Sequence, residues 1–62
     1  MNTEKLRRLM DSKGINQCQL ADATGTSQAF VSYMMRGYKT PSVEVLKRIA
    51  DYFGVTVDCL LE

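Results

Sequence analysis

The 62-residue sequence contains no histidine and no tryptophan, one proline and two cysteines, Cys18 and Cys59. Zinc sites are built from clustered histidines and cysteines, so two distant thiols predict neither a metal site nor a cofactor. Disulfide frameworks need more cysteines at closer spacing. We therefore predict two free thiols, and a single disulfide is the alternative. Paired carboxylates and a glycine-rich phosphate loop are also missing, and we therefore predict that the chain is not an enzyme.

Long apolar runs are absent as well. No segment approaches the roughly 20 consecutive apolar residues that cross a bilayer, and the N-terminus lacks a basic stretch followed by an apolar one. We therefore expect a cytoplasmic protein without membrane contacts. Residues 1–62 are expected to form a single domain, and a core this small favours a binding module over a protein with a catalytic cleft.

Acidic residues are missing from one internal segment, residues 25–43, which contains Arg36 and Lys39. The net charge of the chain is only +1, so the total charge gives no sign of a nucleic-acid partner. The distribution is more informative, because this segment is positive while the C-terminal end is acidic. One surface of the protein is therefore expected to attract an anion, and a chance run without acids is the alternative.

Apolar residues recur at intervals of three and four along the chain, which is the period of an amphipathic helix, and no strand pattern competes with it. Capping residues precede the apolar groups and glycines follow them, where a left-handed residue can end a helix. The glycines are Gly14, Gly25, Gly37 and Gly54. These signals predict an all-α bundle of five helices. The predicted helices run from about Thr3 to Lys13, from Gln17 to Gly25, from the Ser27 cap through Arg36, from the Ser42 cap to Phe53, and onward from the Thr56 cap.

Residues 17–36 have the pattern of two helices joined by a tight turn. Ala21 is small where two helices that cross at about 90 to 120° must approach closely. Gly25 can take the positive φ that ends the first helix, and Val31 and Met34 can hold the second against the core. The opposite face of the second helix of this pair, which is the third helix of the chain, is left outside.

Further matches follow the same spacing over most of the chain. They are Lys13-Gly14-Ile15-Asn16-Gln17, Leu20-Ala21, Gly25, Ser27, Val31-Ser32, Arg36-Gly37, Pro41-Ser42, Leu46, Ile49-Ala50, Phe53-Gly54-Val55 and Leu60-Leu61. The combined pattern, from Leu6 through Leu61, resembles the lambda-repressor-like, Cro/C1-type helix-turn-helix regulators, also called the XRE family. This resemblance implies a compact five-helix bundle that binds operator DNA as a dimer, acting as a repressor. Thr24 departs from the pattern, since the family usually has Val or Leu there.

The third helix has two faces if each residue advances by about 100°. Its inner side is predicted to hold Ser27, Val31 and Met34. Its outer side is predicted to hold Ala29, Ser32, Tyr33 and Arg36, with Gln28 at the edge of that side near the N-terminus. In a major groove, Gln28 can pair with adenine through N6 and N7, the Ala29 methyl can pack on a thymine methyl, and Ser32 can donate or accept. We predict base contacts by Gln28, Ala29, Ser32 and Tyr33, and a solvated helix face is the alternative.

Phosphate contacts are predicted at two places. The first amides of the second helix, near Gln17, are free donors at the positive end of the helix dipole. In the family that the chain resembles, the residue that matches Gln17 holds the DNA backbone, and the loop after the third helix lies along the phosphates. The predicted phosphate contacts are Gln17, Ser27, Arg36, Tyr38, Lys39 and Thr40. For Lys39 the alternative is a solvated charge.

The same resemblance implies self-association through the C-terminal region. The predicted interface consists of Val55, Val57, Asp58, Cys59 and Leu61. A weak homodimer would place two third helices about 34 Å apart, over half-sites one DNA turn apart. Whether the chain is a whole protein or the N-terminal part of a longer repressor stays open.

A protein-interaction module on the same fold, such as an adaptor or an antitoxin subunit, is the competing prediction. Its support is the near-neutral charge together with three apolar or aromatic side chains taken as exposed, Phe30, Met35 and Tyr52. The angular positions of Phe30 and Met35, on the flanks of the buried stripe, more often belong to half-buried residues at the edge of a core.

Overall fold

The computed structural model describes residues 1–62 and contains five α-helices and no strand. The helices are α1 (Thr3–Lys13), α2 (Gln17–Thr24), α3 (Gln28–Met35), α4 (Val43–Phe53) and α5 (Val57–Leu61). The prediction of an all-α, five-helix fold is confirmed. The predicted third helix is one residue too long at its C-terminus, because Arg36 caps α3 instead of continuing it.

Each helix begins at a residue whose side chain accepts a hydrogen bond from a backbone amide of the first turn. At α2 the Asn16 side chain accepts from the Gln19 amide at 2.8 Å, and the Gln19 side chain accepts from the Asn16 amide at 2.9 Å. This is the reciprocal capping box that the sequence predicts. The caps of the other helices are Asn2, Ser27, Ser42 and Thr56.

The first four helices end in the same way. At α3 the Gly37 amide donates to the Met34 carbonyl at 3.1 Å and the Tyr38 amide donates to the Tyr33 carbonyl at 2.9 Å. Equivalent pairs of bonds follow α1, α2 and α4. All four glycines have a positive φ, as predicted. These paired bonds satisfy carbonyls that a helix end would otherwise leave without partners.

One hydrophobic core joins the helices. Its buried side chains are Leu6, Met10, Leu20, Ala21, Val31, Met34, Met35, Leu46, Ile49, Ala50 and Leu60. Helix α2 packs against α3 and α4, α1 packs against α3, and α4 packs against α5. The Asn2 amide also donates to the Leu60 carbonyl at 2.9 Å, which fastens the start of α1 to α5. Helix α3 therefore packs against both of the first two helices.

Three expectations about α3 and its surroundings need correction. Met35 is only 8% exposed and belongs to the core, because the buried stripe at the C-terminal end of α3 is wide enough to include the neighbours Met34 and Met35. Ser27 is exposed and not on the inner side, since it precedes the first turn and its hydroxyl faces the Phe30 amide. Tyr52 is half-buried, and its ring meets the Phe53 ring edge-on at 5.2 Å.

Phe30 is half-buried and packs against the core, as its angular position predicts. Both cysteines are free thiols. None of the five helices combines the length and the apolar character needed to cross a membrane.

Candidate nucleic-acid interface

The turn between α2 and α3, residues 25–27, sets the direction of α3. Gly25 has a φ of +68°, a conformation that side chains disfavour, and it ends α2 at once. The following amide, that of Thr26, donates to the Ala21 carbonyl at 2.9 Å. Ala21 is buried, as the close approach of α2 to α3 requires. The predicted helix, tight turn and helix are thus present, with α2 and α3 packed directly on each other.

The outer side of α3 carries the four residues predicted to contact bases. Gln28 and Ala29 are exposed in the first turn, Tyr33 is 46% exposed in the second, and Ser32 is half-buried. The Ser27 hydroxyl caps this helix by accepting from the Phe30 amide at 3.1 Å. Val31 and Met34 are buried on the opposite side. The structure therefore brings the four predicted side chains onto one side of one helix, with its N-terminal end open to solvent.

An aromatic pair connects this surface to the loop after α3, residues 36–42. The rings of Tyr33 and Tyr38 lie 6.5 Å apart between centroids and are inclined by 52°. Tyr38 is 73% exposed, and its amide is bonded to the Tyr33 carbonyl. A residue predicted to contact bases and one predicted to contact phosphates are therefore neighbours on a continuous surface.

The loop carries positive charge that the protein does not neutralise. Arg36 and Lys39 are exposed and take part in none of the ion pairs of the structure. Three other cations do have carboxylate partners. The pairs are Lys5 with Glu62 at 3.9 Å, Arg8 with Glu4 at 3.1 Å, and Arg48 with Glu44 at 2.9 Å. The positive charge that remains beside α3 is free to meet an anion.

The other residues predicted to contact phosphates lie at the ends of helices and in the loop. Gln17 is half-buried at the first position of α2, and Thr40 is exposed next to Pro41, whose side chain is buried. Gln17 thus lies on α2, apart in sequence from the Arg36, Tyr38 and Lys39 group of the loop.

The predicted dimer interface is only partly free. Val55 and Val57 are half-buried against the protein's own core, and Cys59 is half-buried as well. Asp58 and Leu61 are exposed, and Leu61 leaves 54% of its surface uncovered. Of the five residues, Leu61 is therefore the apolar side chain with most surface to offer a second copy.

Sequence reasoning missed Arg48, which reaches the turn. Its Nη1 donates to the Thr24 carbonyl at 3.2 Å, across 24 positions of sequence. The spacing of Glu44 and Arg48 on one helix does predict their ion pair, but no sequence signal connects Arg48 with Thr24. Sequence reasoning also did not single out Val43, which is 71% exposed at the start of α4. The signal was available, because Val43 directly follows the Ser42 cap and precedes the buried apolar residues of that helix.

This arrangement, in which a tight turn sets one helix with its polar side outward and basic residues beside it, is that of a helix-turn-helix DNA-binding domain. The family model described as Helix-turn-helix matches residues 6–58. The chain belongs to this family, of the Cro/C1 type, as the resemblance implies. The family is one of DNA-binding domains and not of enzymes, in agreement with the sequence prediction.

Three relatives are similar to nearly the whole chain. The HTH-type transcriptional regulator DdrOP3 of Deinococcus deserti is 37% identical over 59 residues, which are 95% of this chain and 46% of that protein. The HTH-type transcriptional activator BcrR of Enterococcus faecalis is 40% identical over 58 residues, 94% of this chain and 28% of that protein. The HTH-type transcriptional regulator AnsR of Bacillus subtilis is 34% identical over 61 residues, 98% of this chain and 53% of that protein. The chain thus spans about half, or less, of the length of these relatives.

Proposed function

We propose that the chain acts in transcriptional regulation by binding a specific operator in double-stranded DNA, with α3 in the major groove. The observation that carries this proposal is the continuous surface formed by the outer side of α3 and the loop after it. Gln28, Ala29 and Tyr33 on that surface are exposed, and the neighbouring Arg36 and Lys39 have no carboxylate partner. The names of the relatives, all HTH-type regulators of transcription, support the same function.

In this proposal the N-terminal turn of α3 reads base edges. Gln28 pairs with adenine through the oxygen and the nitrogen of its side-chain amide, the Ala29 methyl packs on a thymine methyl, and Ser32 and Tyr33 make further polar contacts. The exposed positions of Gln28 and Ala29 in the first turn suit the docking of a recognition helix, whose N-terminal residues meet the bases.

Phosphate contacts then fix the position of α3 in the groove. The loop contributes Arg36, Tyr38, Lys39 and Thr40, whose side chains are all exposed. The starts of α2 and α3 contribute Gln17 and Ser27 with the free amides of their first turns. Such contacts carry no sequence information themselves, but they make binding depend steeply on salt.

A second copy is part of the proposal, because one copy is too small to read two half-sites. The longest extent of the Cα framework is 24 Å, whereas recognition helices of a dimer on adjacent major-groove segments lie about 34 Å apart. We propose a weak twofold dimer through the C-terminal region, with Leu61 and Asp58 as its exposed members and Val55, Val57 and Cys59 beside them. Isologous contacts of this kind match a palindromic operator.

Repression is the proposed mode of regulation, since occupancy of an operator blocks a promoter without any further contact. The relative from Enterococcus faecalis is named an activator, so the direction of regulation needs its own test. A reporter gene placed behind the selected operator decides it: reduced expression in the presence of the protein supports repression, and increased expression contradicts it.

The decisive experiment is selection from a randomised duplex pool, followed by fluorescence-anisotropy titration of the enriched sequences at two salt concentrations. An enriched palindrome whose binding weakens steeply with salt is the expected result. Absence of any retained duplex at low salt would contradict DNA binding by this chain.

The competing function, a protein-interaction module, keeps the near-neutral charge of the chain as support but loses the three side chains that were expected to be exposed. Met35 belongs to the core, while Phe30 and Tyr52 are half-buried.

A further inference from the structure

Arg48 connects α4 to the end of α2, next to the turn of the helix-turn-helix. Its Nη1 donates to the Thr24 carbonyl at 3.2 Å, and its Nη2 donates to the Glu44 carboxylate at 2.9 Å. Glu44 lies one turn earlier on the same helix, so it holds the guanidinium in an orientation that leaves Nη1 directed at α2. The bond to Thr24 is the only side-chain hydrogen bond between α4 and α2 in the structure.

The end of α2 lacks a cation of its own. Its last turn contains no basic residue, and helices are stabilised when a cation lies near their last carbonyls. The amides of Gly25 and Thr26 satisfy the carbonyls of Asp22 and Ala21, and Arg48 supplies a donor for the carbonyl of Thr24. A residue from another helix thus provides the positive charge that α2 itself does not carry.

The contact is made at the residue that immediately precedes the turn. Thr24 is buried, and its hydroxyl donates to the Leu20 carbonyl at 2.8 Å and lies 3.0 Å from the Thr26 hydroxyl. A Cβ atom on Gly25 would lie 3.0 Å from Arg48 Nη1. Glycine at this position therefore leaves the space that the guanidinium occupies, and Arg48 and Thr24 border the turn.

We propose that Arg48 is a positioning residue for DNA readout, which holds the turn so that α3 presents Gln28 and Ala29 to the bases at a fixed angle. This inference rests on the proposed function. Arg48 acts through the Thr24 carbonyl and touches neither base nor phosphate. Loss of its contact therefore lowers the preference for the operator over unrelated DNA and leaves the number of phosphate contacts unchanged.

The test compares Arg48→Met and Arg48→Lys with Lys47→Met in the full 62-residue chain. Methionine keeps an apolar stem of similar length, and lysine keeps the charge and one donor group. Lys47 is the adjacent cation, is exposed and makes no ion pair, so its replacement removes the same charge without touching the turn.

Two readouts are needed, and the first requires no DNA. In Arg48→Met, exchange of the Thr26 amide hydrogen should accelerate roughly three- to tenfold, the factor expected for one hydrogen bond of ordinary net strength. Exchange of the Leu6 amide, which is bonded to the Asn2 carbonyl at a buried position of α1, serves as the internal reference, because global destabilisation would accelerate both amides. Lys47→Met should leave the ratio of the two exchange rates unchanged, and Arg48→Lys should lie between the two methionine variants.

The second readout is the ratio of affinities for the selected operator and a scrambled duplex. In Arg48→Met this ratio should fall roughly three- to tenfold, while the slope of log affinity against log salt stays that of Lys47→Met. A slope lowered by about one relative to Lys47→Met would show a lost phosphate contact and would overturn the positioning role. Equal exchange ratios in Arg48→Met and Lys47→Met would overturn it as well.

Failure of the proposed function is recognised separately. If the wild-type chain selects no duplex, DNA readout is wrong and the role of Arg48 in it falls too. The Thr26 exchange rate then still shows whether Arg48 holds the turn.

Discussion

The two connections that flank α3 differ in how they are held. The turn before it, residues 25–27, is three residues long and is bordered by the buried Thr24, with its hydroxyl bonds, and by Arg48. The loop after it, residues 36–42, is seven residues long, and Pro41 is its only buried side chain. The turn is therefore linked to α4 through the bond between Arg48 and Thr24, whereas the loop is anchored by Pro41 and leaves its other side chains exposed.

The difference corresponds to two different tasks in the proposed interface. Base recognition needs a helix at a defined angle, because hydrogen bonds to base edges tolerate little displacement. Phosphate contacts need charge and reach, and long exposed side chains can supply both from a loop. Equivalent substitutions should therefore reduce stability more in the turn than in the loop, where the exposed charged side chains should affect DNA binding instead.

The largest expected effect is the cost of a side chain at Gly25. Gly25→Ala combines an unfavourable positive φ with a Cβ 3.0 Å from Arg48 Nη1, and we expect it to lower the free energy of unfolding by about 2 to 3 kcal/mol. Gly37→Ala in the loop has a φ of +81° but nothing within 4 Å of the added atom, so its expected cost is only about 1 kcal/mol. Urea unfolding followed by circular dichroism measures both.

Equal losses for the two alanine variants would show that Arg48 moves aside freely. The turn would then be no more firmly held than the loop.

Removal of the side-chain amide of Gln28 should weaken operator binding without affecting the fold. Gln28 is exposed on α3, so Gln28→Ala should leave thermal unfolding unchanged and weaken operator binding by about 1 to 3 kcal/mol, with relaxed preference at one base pair. Binding-site selection with the variant and the wild type makes the measurement, and Lys47→Ala is the surface control. A selected site identical to that of the wild type would remove Gln28 from base readout.

A smaller effect is expected from the hydroxyl of Thr24. Thr24→Val keeps the shape of the buried side chain but loses its bonds to the Leu20 carbonyl and the Thr26 hydroxyl. The expected cost is about 0.5 to 1.5 kcal/mol of unfolding free energy. Thr40→Val, at an exposed position of the loop, should stay within about 0.5 kcal/mol of the wild type. If the two variants unfolded alike, the hydroxyl network would contribute nothing to the turn.

Most of the fold can be predicted from the sequence, because local signals determine it. Asn16 and Gln19 predict a capping box, and the glycines predict helix ends. The spacing of three and four between apolar residues places Val31 and Met34 in the core. Met35 shows the limit of this reasoning: the period of a single helix does not reveal how far neighbouring helices extend around it.

The sequence predicts where the candidate site lies, but it does not predict the tertiary contacts that hold the site in position. The outward positions of Gln28, Ala29 and Tyr33 follow from the same helical geometry that buries Val31. The contact between Arg48 and the Thr24 carbonyl does not, since it joins two helices that only the tertiary fold brings together. Every residue has a backbone carbonyl, so no residue pattern predicts which one a distant side chain will bond.

The smallest effect tests the loop alone. Lys39 is exposed and has no ion pair, so Lys39→Ala should leave stability unchanged, weaken operator and scrambled duplexes by the same factor, and lower the salt slope by about one. Lys47→Ala, which removes an equally unpaired cation from α4, is the matched control for the change in net charge. Titrations at several salt concentrations distinguish the two variants. If both lower the slope equally, Lys39 contributes only to the overall charge of the protein, and the positive loop loses its assigned phosphate contact. A reduced slope in Lys39→Ala alone would show that the loop meets the DNA backbone.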